Sequence, residues 1–422
     1  MALPKNTPSY NLKAVLSETG LKADTIRAWE RRYGIPTPQR TEGGHRLYSR
    51  ADIETLQWLV EQLAQGMSIS AAVNLLKNLQ ETASQVLPAP TLQSRNDLSG
   101  FRQEWLRCCL NFNERGAEDV LNQAFAMFSV EQVCLEILQQ GVSQLGNAWY
   151  SGKITAQQEH FTTALATRRV DVLLASCPPP ILSEKILLGC PPDESHVFGL
   201  QVLTLLLRRA GYTAIYWGAQ VPLSQLADSL QSLQPNLFIL GAQRLSAVVG
   251  LQELAHYVSD LGFSVAFGGG AFVYLPELAN RITGFYLGDE LKFAVQNIRA
   301  ILVGQNRQPK TSAPSVAMQN LRTQFRLAQE AIIQQTVSCE PLNRDPRFWR
   351  QISLMLCQNI DAVLALDVLE ALPAEIHWIE QLVKNHGVPQ CDWQTYHTHF
   401  QSALSQQLGF SSHTLLIFFQ AE

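Results

Sequence analysis

Between positions 101 and 176, apolar residues recur every three or four positions, which is the spacing of an amphipathic helix. Short polar stretches interrupt the pattern, so it predicts a bundle of four helices over 100–180. The apolar positions that carry the pattern are Trp105, Leu106, Leu110, Val120, Leu121, Ala124, Phe125, Phe128, Val133, Ile137, Val142 and Leu145.

The next region, 181–304, alternates short apolar runs with helical stretches. The runs are Lys185 to Cys190, Ala214 to Trp217, Leu237 to Leu240 and Ser264 to Phe267. Strands that alternate with helices predict a parallel sheet with helices on both faces, which is a doubly wound α/β fold. Ligands of such sheets bind at the carboxyl ends of the strands. We therefore expect a binding site in the loops that follow these runs.

The N-terminal region combines two short helical patterns with a glycine turn. Asn11 to Gly20 has helical rhythm, and Lys22 to Tyr33 is a second helix with cations along one side. Gly43 and Gly44 then predict a hairpin turn. A helix, a short turn and a basic second helix are typical of the helix-turn-helix, and the hairpin adds a wing. We predict a DNA-binding domain over 1–80.

Two polar segments that contain proline, 81–99 and 305–315, are predicted linkers. The last region, 316–422, has helical patterning and is predicted to be an additional helical domain. Its expected role is oligomerisation or binding of a protein partner. It contains His377, His397 and His399, but no carboxylate or cysteine accompanies them at the spacing of metal ligands, so core or surface positions are favoured.

Charge is distributed unevenly along the chain. Positions 1–50 hold nine Lys and Arg against four Asp and Glu, a net charge of about +5, which leaves about −9 on the rest of a chain whose total is −4. A basic region attracts the phosphates of nucleic acid. The distribution of charge therefore agrees with DNA binding by the first domain.

The composition is that of a globular protein with several domains. The chain has 422 residues, 46% of them hydrophobic, which is enough for three or four domains with real cores. No apolar run approaches the length of a membrane span, so we expect a cytoplasmic protein that does not bind a membrane. The eight cysteines form no C-x-x-C pair and are predicted to be reduced core thiols.

The run Glu194-Ser195-His196-Val197-Phe198-Gly199 joins a predicted strand to a predicted helix. An imidazole on such a loop can bind a metal that another molecule carries, while Glu194 accepts the other ring N–H and fixes the tautomer. Gly199 leaves room for a bulky ligand next to the backbone. The pattern fixes only three positions, and by itself it fits an incidental surface histidine equally well.

With its surrounding pattern of strands, the segment from Glu184 to about Gly304 resembles the cobalamin-binding Rossmann domain of methionine synthase, corrinoid proteins and cobalamin-dependent regulators. The resemblance implies that His196 is the lower cobalt ligand and that Gly241, Gly269 and Gly270 lie against the cofactor. The S-x-L motif of the family falls on Gly241-Ala242-Gln243. The serine that would extend the Glu194–His196 hydrogen bonds is therefore missing.

Trp149, nine further residues, and then Glu159 and His160 match the helical cap of CarH-type photoreceptors, which this region resembles. Trp149 alone would be an ordinary core residue of a bundle. The resemblance implies that the three residues surround the 5′-deoxyadenosyl group of adenosylcobalamin, since an aromatic plane can pack on it and a carboxylate can accept ribose hydroxyls. Light-sensing members commonly have a histidine after the tryptophan. Here that residue is Tyr150, a poorer cobalt ligand near neutral pH.

The strings T-I-R-x-W-E-R-R-Y and G-G-H-R-L-Y closely resemble the MerR family of winged-helix regulators. One such module covers a single half-site, so tight binding to operator DNA requires at least two copies. The resemblance implies that one set of side chains faces DNA from the second helix and another from the wing. These residues are Thr25, Arg27, Trp29 and Arg31 on the helix, and Arg40, His45, Arg46 and Tyr48 on the wing.

Together these resemblances predict a light-regulated transcriptional repressor rather than an enzyme. Its assembly into a dimer or tetramer would depend on adenosylcobalamin and would control binding to double-stranded operator DNA. In the family that the sensor resembles, light removes the adenosyl group and dissolves the assembly.

Two other classes of protein remain alternatives. A corrinoid methyl carrier or mutase would share Glu194 to Gly199 but would not need a winged helix. A light-indifferent regulator would use the sensor fold to bind a protein partner or another tetrapyrrole such as a bilin. Tyr150, Gly241 and the additional C-terminal domain leave room for this second alternative.

Overall fold

The computed structural model describes residues 8–40, 46–64, 69, 72–73, 97–304, 309, 311, 314–338 and 345–419. The chain divides into two compact units, Met1–Ala89 and Pro90–Glu422.

The first unit is a winged helix-turn-helix, as the sequence predicts. Its core holds Val15, Ile26, Ile53 and Leu56, which are completely buried. Strand β3 pairs antiparallel with both β1 and β2, which forms the wing. The elements are β1 Tyr10–Asn11, α1 Leu12–Thr19, α2 Ala23–Tyr33, β2 Gln39–Arg40, β3 Arg46–Tyr48 and α3 Arg50–Ala64.

The second unit begins with the predicted four-helix bundle. Its helices begin at side chains that accept hydrogen bonds from the first-turn amides, such as Asp97, Asn113 and Thr155. The third helix contains a π-helical segment, Val133–Gln139, which the apolar spacing does not reveal. The elements are α4 Leu98–Leu110, α5 Glu114–Met127, α6 Val130–Gln132, the π segment, α7 Gln140–Tyr150 and α8 Ala156–Ala175.

The bundle is followed by a doubly wound α/β domain with a parallel sheet in the order β5-β4-β6-β7-β8. Strand β4 has β5 on one side and β6 on the other, so the strand order reverses beside it. Such a switch point opens a crevice at the carboxyl end of the strand. The elements are β4 Lys185–Gly189, α9 Phe198–Arg209, β5 Thr213–Gly218, α10 Leu226–Leu233, β6 Leu237–Gly241, α11 Leu245–Asp260, β7 Val265–Gly268, α12 Gly270–Tyr274, β8 Phe285–Tyr286 and α13 Leu291–Val303.

The C-terminal helices belong to the same compact unit as the bundle and the α/β domain. Trp349 and Tyr396 stack in their interior, with ring centroids 4.7 Å apart. Helix α15 packs on α11, and one hydrophobic core runs through both regions. Two described positions of the predicted linker also contact the α/β domain, where Gly284 donates to the Pro309 carbonyl and Gln252 to the Thr311 hydroxyl. The elements are α14 Val316–Ser338, α15 Pro346–Leu366, α16 Leu372–Asn385, α17 Gln390–Leu408 and α18 His413–Phe419.

The cysteines are free wherever the structure describes them, and all but Cys177 and Cys391 are buried, while Cys339 lies outside the described residues. Within the described ranges, three or more His, Cys, Asp or Glu side chains nowhere gather in an arrangement suited to a metal ion. None of the described helices combines the length and the apolar character that crossing a membrane requires.

Candidate functional site

The loop between β4 and α9 places an exposed imidazole over a buried carboxylate at the switch point of the sheet. Glu194 is 0% exposed, whereas 51% of the His196 side chain is exposed. Glu194 Oε1 lies 2.7 Å from His196 Nδ1 and also accepts a hydrogen bond from the His196 backbone amide at 2.8 Å. With Nδ1 held in this way, Nε2 is the ring nitrogen that can bind a metal.

The second oxygen of Glu194 accepts a hydrogen bond from the turn that follows β6. The Gln243 backbone N–H donates to Glu194 Oε2 at 2.6 Å, and the Gln243 side-chain oxygen accepts from the Gly270 amide at 2.9 Å. Gly241, two positions before Gln243, takes the place of the expected serine. Glu194 Oε2 therefore accepts a hydrogen bond from a backbone amide and not from a serine hydroxyl.

These hydrogen bonds determine the charge of Glu194. Burial by itself raises the pKa of the Glu194 carboxyl, but the hydrogen bonds from His196 and from the Gln243 amide outweigh burial and hold the pKa below its ordinary value. Glu194 is therefore an anion near neutral pH. An anionic acceptor behind a metal-binding imidazole orients the ring and raises its basicity.

Four glycines were predicted to contact a cofactor, and the structure separates their roles. A Cβ at Gly199 would meet nothing within 4 Å, so this backbone borders open space. A Cβ at Gly269, whose φ is +123°, would lie 2.2 Å from the Ala242 carbonyl oxygen. A Cβ at Gly270 would lie 2.6 Å from the Gln243 side chain, and a Cβ at Gly241 would lie 3.0 Å from the Leu200 side chain. Packing within the protein thus already requires glycine at 269, and the contacts of these glycines with a cofactor stay a prediction.

The predicted upper residues lie together at one end of the bundle. Trp149 ends α7 with Tyr150, and Glu159 and His160 lie in the first turn of α8, which packs on α7. Glu159 accepts hydrogen bonds from His160 Nδ1 and from the Thr163 hydroxyl, both at 2.8 Å. Trp149 thus offers a half-buried aromatic surface and Glu159 an oriented acceptor, and their contact with an adenosyl group stays a prediction.

The C-terminal helices contact this end of the bundle, which the sequence did not predict. The Trp378 ring stacks on Tyr150 with centroids 5.1 Å apart, and the Tyr150 hydroxyl donates to the Trp378 carbonyl at 3.2 Å. The His386 ring lies 5.3 Å from the Trp149 ring, and Asn385 donates to the Tyr150 carbonyl at 3.0 Å. Burial raises the pKa of Tyr150, which makes the phenol a still poorer metal ligand.

A small turn makes this contact possible. Gly152 adopts a φ of +66°, and a Cβ at this position would lie 2.3 Å from the Asn385 carbonyl oxygen. A glycine is therefore required here for both its backbone angle and the approach of α16. More than 220 positions separate Tyr150 from Trp378, so no local pattern in the sequence could have revealed the pairing.

The candidate DNA interface in the first unit needs two corrections. Trp29 and Tyr48 were predicted to face DNA, but both are buried in the core of the unit, where they hold α2 and the wing in place. Arg27 and Arg31 are exposed, and Thr25 is half-buried. Arg46 on the wing donates to Glu30 of α2 at 2.9 Å, which ties the wing to the helix. Arg40 ends β2, and His45 lies outside the described residues.

Two protein-family models match separate parts of the chain. A family model described as MerR HTH family regulatory protein matches residues 10–79, and a B12 binding domain matches residues 102–174.

The matches to two curated relatives from Myxococcus xanthus extend over most of the length of those relatives. The HTH-type transcriptional repressor CarH is 30% identical over 230 residues, which is 54% of this chain and 77% of that protein. The HTH-type transcriptional repressor CarA is 26% identical over 254 residues, 60% of this chain and 82% of the relative. Among solved structures, the Methanosarcina barkeri monomethylamine corrinoid protein is 14% identical with a TM-score of 0.42, and the match covers 50% of this chain and 99% of that one.

Proposed function

The chain belongs to the family of the transcriptional repressor CarH, and we propose that it represses transcription through an adenosylcobalamin-dependent assembly that light dissolves. It is a transcriptional regulator with a cobalamin-binding domain. The proposal adds the adenosyl form of the cofactor, the oligomer, the response to light, a cytoplasmic location and the absence of an enzymatic reaction.

The observation that carries the proposal is the exposed His196 imidazole held by the buried Glu194 anion. His196 would hold the cobalt through Nε2, and Gly199 leaves space next to it. On the other side, Trp149 would pack on the adenosyl group and Glu159 would accept its hydroxyls. When bound, adenosylcobalamin supplies a cobalt–carbon bond that light can break.

Regulation of DNA binding would follow from the number of DNA-binding domains that an oligomer joins. Arg27 and Arg31 are the exposed cations on the predicted face of α2, and the wing positions Arg40 and His45 would add contacts to the DNA backbone. One DNA-binding domain covers a half-site. In an oligomer, binding of one such domain raises the effective concentration of a second one at the adjacent half-site. Loss of the oligomer would therefore weaken operator binding without any change in the structure of a single DNA-binding domain.

Size-exclusion chromatography with full absorbance detection tests the proposal on the protein reconstituted with adenosylcobalamin, in the dark and after green light. We expect a dark oligomer with a corrin spectrum that elutes later after illumination. His196→Ala should lose the spectrum of histidine-ligated cobalt, whereas His256→Ala, which removes an exposed histidine of α11, should not. An elution volume that light leaves unchanged contradicts the proposed light response.

A second candidate function is a light-indifferent regulator, and the contacts of Tyr150 favour it. The hydroxyl and ring of Tyr150 are engaged by Trp378, at the position where light-sensing members commonly have a histidine. Corrin binding with an oligomeric state that ignores light would support this candidate. Absence of bound corrin would instead favour a protein partner or another tetrapyrrole such as a bilin.

A further inference from the structure

A cleft of about 150 Å³, partly open to solvent, lies between the carboxyl edge of the parallel sheet and the C-terminal helices. Gln243 and Tyr274 line it from the α/β domain, and Asn359, Glu375 and Trp378 line it from α15 and α16. Each wall therefore belongs to a different part of the unit. A ligand in this cleft would contact both parts.

The cleft adjoins both halves of the candidate cofactor site. On one wall, Gln243 donates its backbone N–H to Glu194, which holds His196. On the other wall, Trp378 stacks on Tyr150, the neighbour of Trp149. One residue, Glu194, thus lies between the lining of the cleft and the predicted lower ligand, and Tyr150 lies between the lining and Trp149.

Glu375 is the unusual side chain in this cleft. Only 8% of Glu375 is exposed, and within the described part of the chain the one hydrogen bond to its carboxyl comes from Asn359, at 2.7 Å. Burial raises the pKa of Glu375 to about 7. A buried carboxyl with a single neutral donor destabilises the fold, and an N–H group from a ligand in the cleft would offset that effect.

We propose that the C-terminal helices complete the cobalamin site, with Glu375 and Asn359 binding a propionamide side chain at the rim of the corrin ring. This inference rests on cobalamin binding by the sensor. A primary amide fits because its NH₂ group donates to the Glu375 carboxyl and its carbonyl accepts from the Asn359 amide, which keeps a second N–H. Corrin rings carry such amides around their edge, so the C-terminal helices would recognise the cofactor directly.

The test compares cobalamin with its three monocarboxylic acids, in each of which hydrolysis has converted one propionamide into a carboxylate. Affinities for the full-length protein are measured at pH 8 in the dark by equilibrium dialysis. A carboxylate next to Glu375 loses the N–H donor and adds a like charge. We expect one of the three acids to bind about tenfold more weakly than cobalamin, and the other two to bind like cobalamin.

Glu375→Gln should remove this discrimination, because the glutamine amide can donate to the ligand carboxylate. Glu370→Gln, which changes an exposed glutamate just before α16, should leave it intact, and a thermal melt confirms that both variants fold. Equal binding of all three acids by the wild-type protein, or discrimination that survives Glu375→Gln, would overturn the inference. Failure of the proposed function is distinguishable, because it shows as an elution volume that light does not alter.

Discussion

Glu194 in the β4–α9 loop and Glu375 in the C-terminal helices are both buried carboxyls, yet their pKa values shift in opposite directions. Burial raises the pKa in both cases, but hydrogen bonds from His196 and the Gln243 amide reverse the effect at Glu194. Within the described residues, Glu375 accepts a single hydrogen bond, from the Asn359 amide, and burial raises its pKa to about 7. The number of donors, rather than the depth of burial, decides whether a buried carboxyl is charged.

The difference also separates two kinds of site. The donors around Glu194 belong to its own loop and to the turn after β6, so the arrangement is complete before any ligand binds. Among the described residues, Asn359 donates the single hydrogen bond to the Glu375 carboxyl, which borders a cleft. We interpret the first as a preorganised support for a metal ligand and the second as a site that a ligand completes.

The largest expected effect comes from removing the charge of Glu194. In Glu194→Gln, the NH₂ group that replaces one carboxylate oxygen cannot accept a hydrogen bond, so the donors from either His196 or Gln243 lose their acceptor. We expect a loss of about 3 kcal/mol in the free energy of unfolding, measured in urea, together with weaker cobalamin binding. Glu277→Gln, at an exposed position, is the matched control. A variant as stable as wild type would show that the hydrogen bonds to Glu194 contribute little.

Glu375→Gln should instead raise the free energy of unfolding, by an amount that depends on pH. Because folding raises the pKa of Glu375 from about 4.5 to about 7, its stabilising contribution is complete below about pH 4.5 and is lost as the pH rises through 7. Glutamine resembles the protonated acid and does not titrate. We therefore expect the variant to exceed wild type at pH 8 by about 2 kcal/mol in urea unfolding, and to match it more closely at pH 5. A difference that does not vary with pH would mean that Glu375 is ionised throughout.

The smallest effect is expected where the C-terminal helices contact the bundle. Tyr150→Phe removes the hydrogen bond to the Trp378 carbonyl but keeps the stacked rings. We expect a loss of about 1 kcal/mol in urea unfolding, while Tyr257→Phe at an exposed position of α11 changes nothing. A much larger loss would indicate that the hydroxyl, rather than the stacking, holds the two regions together.

Local periodicity was sufficient to predict most of the fold. Burial of one helix face repeats every three or four residues, and residues such as Trp105 and Ile137 are completely buried, as their spacing predicts. The two-residue strand Phe285–Tyr286 is too short to show any period, and the sequence did not predict it. The core residues Trp29 and Tyr48 were wrongly predicted to face DNA, because an aromatic inside a basic string can equally well hold that string in place.

The candidate site was predictable only where its contacts are local. Glu194 and His196 are two positions apart, so their pairing follows from the motif, and the structure confirms the contact. The hydrogen bond from the Gln243 amide to Glu194 is a backbone contact, and no choice of side chain signals it. The pairing of Trp378 with Tyr150 and the burial of Glu375 arise only when the C-terminal helices fold onto the unit.

The packing of α15 on α11 has an evolutionary consequence. Leu251, Leu254 and Val258 on α11 are completely buried in a core that continues into the C-terminal helices. A descendant that lost those helices would expose part of this apolar face to water and would need polar substitutions on α11 as well. Gain and loss of the C-terminal region are therefore not symmetric: the helices can be retained without further change, but they cannot be deleted in a single step without harm.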